Sequence, residues 1–209
     1  MSNTTLSGNL SKVVVYGNVS NFMMSRKFNV KLHPPRAPHV IEVFWFPPSL
    51  NWTKCNTDGS TTGNQSSCGG IFRDCYSNFL LCFGENTGLG NALHAEISGA
   101  MRAVELAESH GWRNLWLEVD SQFVIKAFKN PSLVPWKLRN RWMNYIMLTS
   151  KMNFLATHIY KEGNQCADTL TSASFNVPNL TVWLHMPNCI RAAYCKDRLG
   201  LPNFRFVTY

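Results

Sequence analysis

Along WTKCNT (residues 52–57) and into the Asp58 that follows, Trp52, Lys54, Asn56 and Asp58 share one side of an extended chain, and Thr53, Cys55 and Thr57 share the other. The side that carries Asp58 is mixed, neither plainly core nor plainly solvent. Gly59 comes next, so the local reading is a strand ending in a turn whose acid caps the backbone. GGIFRD and NFLLCFGENTG predict two further strands of an antiparallel meander, with Asp74, Tyr76, Ser77 and Asn78 in the turn between them. Over residues 94–110 the apolar positions Ile97, Met101, Val104 and Ala107 recur at helical spacing, and Gly111 stops the helix. LWLEVD (115–120) predicts a strand, and SQFVIKAFKN a helix capped by its serine and halted before Pro131. A further helix is predicted over residues 136–150, then a strand in NFLATHIY and a last helix beginning near Asn164. Three strands, then helix, strand, helices, strand and helix, predict an α/β fold with a mixed sheet and helices packed against it.

The pattern also divides the chain. Residues 1–48 run from a polar start through KVVVYG to the basic, proline-rich KLHPPRAPH and VFWFPPSL, and read as an arm or linker with little core of its own. Residues 49–176 hold the periodic segments. Residues 177–209 form a C-terminal extension to which the pattern assigns no task.

A chain of 209 residues can bury a real core without staples. Twenty Lys and Arg against twelve Asp and Glu give a net charge of +8, which favours anionic partners such as nucleic acid or acidic membrane surfaces without choosing between them. The amino terminus lacks the apolar run of a signal peptide, and no stretch approaches the roughly 18 apolar residues of a membrane span. The expectation is a soluble intracellular protein, in nucleus or cytoplasm, without membrane partners and monomeric. Seven cysteines with no C-x-x-C pair indicate neither a disulfide framework nor a zinc site.

Four acids stand where predicted elements begin or end. Asp58 closes the first strand, Glu96 lies in the first turn of the long helix, Asp120 ends the strand LWLEVD, and Asp168 lies near the start of the last helix. Each alone has an ordinary explanation as a cap, a dipole partner or a solvated acid. Together NTDGS, HAEISGA, VDSQFVIKAF and HIYKEGNQCADTL, in that order and at fitting separations, resemble the ribonuclease H domain, and within it the plant branch related to retroelement reverse transcriptases. The preceding KFNVKLHPPRAPHVIEVFWFPP resembles the stretch that joins the polymerase part to this domain in such elements, which would make residues 1–48 a retroelement remnant.

The resemblance implies a ribonuclease H-like fold with a five-stranded mixed sheet. It implies cleavage of the RNA strand of an RNA/DNA hybrid, with two Mg2+ ions held by Asp58, Glu96, Asp120 and Asp168. Magnesium takes hard oxygen ligands, so carboxylates suit the site where thiols would not. The resemblance further implies an assisting role for His158, ten residues before Asp168, and substrate contacts from Gln122, Gly59, Ser60 and Asn164. Three departures bear on substrate binding. The first hairpin reads GNQSSCGG, Ala92 stands four before Glu96, and the basic handle of bacterial relatives is shortened to Trp136, Lys137, Arg139, Arg141 and Trp142. The alternative reading is a nucleic-acid-binding module that kept the fold and the acids but no longer cuts.

Overall fold

The structure is a computed structural model that describes residues 39–207 and, before them, Met23 alone. Most of the expected arm, KVVVYG included, lies outside the described residues. In chain order the strands and helices are β1 (His39–Val43), β2 (Thr53–Thr62), β3 (Gln65–Arg73), β4 (Phe79–Leu89), α1 (Ala92–Ser109), β5 (Asn114–Val119) and α2 (Gln122–Lys129). They continue as α3 (Arg139–Thr149), β6 (Asn153–His158), α4 (Gln165–Ala173), β7 (Leu180–Trp183), α5 (Arg191–Arg198) and β8 (Asn203–Val207). The chain divides into a main unit, Glu42–Arg205, and a second made of residues 1–41 and 206–209. Of the second unit, His39, Val40 and Phe206 are exposed and Ile41 and Val207 half-buried strand residues. The description below concerns the main unit.

Six strands form one sheet in the order β6-β5-β2-β3-β4-β7. The meander β2-β3-β4 is antiparallel, as the turn signals predict, while β5 runs parallel to β2 and β6 parallel to β5. The sheet is therefore mixed, with one strand more than the resemblance implies. The sixth, β7, comes from residues beyond 176 and pairs antiparallel with β4 at the edge. In the β3-β4 turn Asp74 Oδ1 accepts the backbone N–H groups of Tyr76 and Asn78, both at 2.8 Å. That side-chain turn fixes the register of the hairpin.

Helix α1 covers one face of the sheet because Ile97, Met101, Val104 and Ala107 return to one side, where they join Cys55, Phe72, Leu115 and Leu117 in the larger core. Asn91 caps it, its Oδ1 accepting from the His94 N–H at 2.9 Å. Gly111 follows it at φ +69°, which a side chain would resist. Helix α4 lies on the opposite face, where Leu170 and Cys166 pack with Ile71, Ile190 and Tyr194. Two expected details differ. Residues 136–138 form a tight 3-10 turn ahead of α3, and Ser121 stands at the α2 N-cap position without a side-chain capping bond. Among the described residues no helix is long and apolar enough to cross a membrane.

The mixed side of β2 has its explanation in the tertiary structure. Lys54 and Asn56 are buried beneath Trp45, in the stretch that reads from sequence as having little core. Lys54 Nζ sits 2.9 Å from Glu118 Oε2 and over the Trp116 ring at 3.8 Å. Arg73 pairs with Asp197 of α5 at 2.7 Å, donates to Asn56 Oδ1 at 2.7 Å, and stacks on Trp45 at 3.7 Å. Burying four charges is tolerable only because each has an opposite partner and further hydrogen bonds. The extension after residue 176 thus supplies both an edge strand and a counterion to the main unit.

Candidate metal centre

Two glycines let the helices approach the sheet beside Asp58. A Cβ on Gly59 would fall on the backbone of Ala95 and Glu96, so only glycine admits α1 this close to β2. Gly69, the strand partner of Asp58, does the same for α4, since its Cβ would lie 2.8 Å from the Thr171 nitrogen. Asp58, on a central strand between two closely docked helices, has almost no freedom and is 4% exposed. Glu96 enters from α1, one turn further along the helix than the sequence reading places it, because α1 begins at Ala92. Asp120 follows the last residue of β5, which lies beside β2.

Asp58, Glu96 and Asp120 converge, each offering a carboxylate oxygen such that all three atoms lie within 4.8 Å of one another. Asp58 Oδ2, Glu96 Oε2 and Asp120 Oδ1 are buried and lack a hydrogen-bond partner among the described residues. Buried acceptor atoms that meet no donor are costly unless a proton or a cation joins them. Burial, with the charges of Asp120 and Asp168 beside it, pushes the Asp58 carboxyl up to about 7. Glu96 rises to about 9, by burial first and then by Asp58 and Asp120. Burial also raises Asp120, against the pull of Lys161 and His158. The donor set, all hard oxygens with unsatisfied lone pairs, fits a divalent cation of the magnesium type.

Asp168 is not one of the three whose ligand atoms lie within 4.8 Å of one another, although its charge acts on Asp58 and Asp120. It occupies the first turn of α4, and its Oδ1 pairs with Lys161 Nζ at 3.1 Å, the side chains 40% and 68% exposed. His158 ends β6, and its Nε2 lies 3.1 Å from the backbone oxygen of Asp120. A carbonyl oxygen only accepts, so Nε2 carries the hydrogen and donates. Gln122 is exposed at the start of α2, next to Asp120, and Ser60 is half-buried on β2.

Three further residues are engaged within the fold. Asn164 is 1% exposed; its amide donates to Thr57 O at 2.9 Å and accepts from Asn56 at 3.3 Å, so it ties the start of α4 to β2. Trp142 is buried against Phe128 and Tyr145. Arg141 is held by Glu105 at 2.9 Å. Of the basic handle, Trp136, Lys137 and Arg139 remain exposed. Lys161 escaped the sequence reading altogether, although a cation inside the loop between His158 and Asp168 was a signal for it.

Residues 56–174, more than half of the chain, match the family described as reverse transcriptase-like. An Arabidopsis thaliana protein provisionally named a ribonuclease H is 28% identical over 195 residues, which cover 85% of this chain and 29% of that protein. The chain therefore spans under a third of that relative's length. RNase H1 of Halobacterium salinarum superposes with a TM-score of 0.53 at 22% identity, over 60% of this chain and 98% of its own. The N-terminal RNase H domain of a Mycobacterium tuberculosis protein gives 0.55 at 18% identity, over 60% and 94%. LC11-RNase H1, solved with an RNA/DNA hybrid, gives 0.53 at 20% identity, over 59% and 96%. These likenesses establish a shared fold.

Proposed function

Because the chain belongs to the reverse transcriptase-like family, as a ribonuclease H domain of the plant, retroelement-related type, we propose that it hydrolyses the RNA strand of RNA/DNA hybrids with the help of bound divalent cations. The observation that carries this reading is the convergence of Asp58, Glu96 and Asp120, which bring ligand atoms within 4.8 Å of one another and each hold a buried carboxylate oxygen with no hydrogen-bond partner among the described residues. Asp58, Glu96 and Asp120 would hold the cations, two Mg2+ ions in the full assembly, with Asp168 completing the set. Cations so held supply a polarised water and a counter-charge for the leaving oxygen at phosphorus.

The protein's own residues do the rest. Asp58 gives a rigid reference point, because the central strand and its two glycine contacts fix the ligand to within the tolerance such a site needs. His158 is held through its Nε2–H on Asp120 O, so its Nδ1 is the atom free to take or give a proton at the edge of the acid cluster. Gln122, exposed two residues after Asp120, would meet the 2'-hydroxyls that a hybrid shows in its wide minor groove. Trp136, Lys137 and Arg139 would hold phosphates and sugars without reading bases, so cutting would depend little on sequence.

The test compares cleavage of an RNA/DNA hybrid, double-stranded RNA and double-stranded DNA by the purified chain, with Mg2+ and with chelator. The expected result is Mg2+-dependent cleavage of the hybrid's RNA strand alone, lowered about 10²-fold or more by Asp120→Asn. Full cleavage by a folded Asp120→Asn protein would overturn the reading.

A further inference from the structure

We propose that Lys161 is a latch on Asp168, which holds that carboxylate away from the acid trio until a cation takes the place of the lysine. The inference rests on the reading of Asp58, Glu96 and Asp120 as the metal site.

The backbone on both sides of the pair is fixed. Lys161 opens the 3-10 turn Lys161–Gly163, in which Gly163 N–H donates to Tyr160 O at 2.8 Å and Asn164 N–H to Lys161 O at 3.0 Å. Asp168 N–H then donates to Asn164 O at 3.1 Å, and the Asn164 side chain anchors the whole corner to β2. The pair can therefore open only by side-chain rotation, which a lysine stem allows freely. Glu162, the next acid, pairs with Arg205 at 3.2 Å and does not compete for the lysine.

The pair is also weak enough to yield. Both side chains face solvent, and exposed ion pairs are worth up to about fivefold in an equilibrium. A divalent cation among three carboxylates offers Asp168 a stronger partner and repels the ammonium.

The test is direct binding of Mn2+ to the full chain, by electron paramagnetic resonance or calorimetry at neutral pH. Lys161→Met should bind Mn2+ about three- to tenfold more tightly than the unmodified chain, and Lys161→Arg should stay near the unmodified value. In an Asp168→Asn background the gain from Lys161→Met should shrink to about twofold or less. Unchanged affinity in Lys161→Met, or an equal gain with Asp168→Asn, would overturn the latch. An Asp120→Asn arm isolates the underlying reading: if that variant binds Mn2+ as tightly as the unmodified chain, the metal site itself falls, whatever Lys161 does.

Discussion

Gly59 and Glu96 meet backbone to backbone, and a single methyl group on the glycine would land on the amide nitrogen of the glutamate. The contact couples a packing requirement to a chemical one, because it is what brings the Glu96 carboxylate beside Asp58. Gly59→Ala is expected to push α1 outward, destabilise the protein by about 1–3 kcal/mol, and weaken Mn2+ binding more than an equally destabilising change far from the site. Thermal unfolding together with Mn2+ titration checks this. Loss of stability with unaltered Mn2+ affinity would separate the contact from the site.

The buried acids make metal-free stability depend on pH in an unusual direction. Asp58 and Glu96 hold protons more tightly folded than unfolded, so the native state binds more protons between the ordinary carboxylate range and about 7 and 9. Stability must then fall as pH rises through that window. With chelator present, the melting temperature should drop by several degrees from pH 5 to pH 9 as the cluster ionises. With Mg2+ the drop should be reduced, because the ionised cluster is the form that binds the cation. Melting curves at matched ionic strength decide it, and a chelated protein whose stability rises over this range would contradict the burial of the trio.

Removing charge from the cluster should separate stability from activity. Asp58→Asn should abolish Mg2+-dependent hybrid cleavage and, in chelator at pH 8, leave the protein as stable or more stable than the parent, since one member of a like-charged buried group is gone. Parallel cleavage assays and melting curves check both halves.

His158→Ala should lower turnover about 10²-fold and alter its pH profile while hybrid affinity holds, if Nδ1 moves protons at the site. His158→Asn helps to separate roles, because its amide can still donate to Asp120 O but cannot titrate. Recovery of turnover by His158→Asn would make the histidine a support for Asp120 and not a proton carrier.

Asp197→Ala should cost about 3–5 kcal/mol, because it strands the Arg73 guanidinium in a buried site, 1% exposed, with its partner gone. Denaturant melts check the magnitude. A chain ending near residue 176 should be at least as unstable, since it loses β7 as well.

The order of elements, the meander and the helix over Ile97, Met101 and Val104 were legible because each depends on local periodicity and turn chemistry that neighbours in sequence impose on one another. The acids too stood out in NTDGS, HAEISGA and VDSQ, although Asp58 proves to lie inside β2, which runs on to Thr62, and Glu96 a turn into α1. Which acids actually meet could not be read from spacing. The convergence of Asp58, Glu96 and Asp120 depends on close backbone contacts at Gly59 and Gly69, and the pairing of Asp168 depends on where a lysine side chain reaches. The mixed side of β2 was visible as a pattern, but its meaning lay in partners far along the chain: Glu118 for Lys54 and, through Arg73, Asp197 from a segment to which the pattern assigned no task. Local sequence fixes the period of an element, whereas a buried charge is tolerated only through a partner, and only the folded chain decides which residue that partner is.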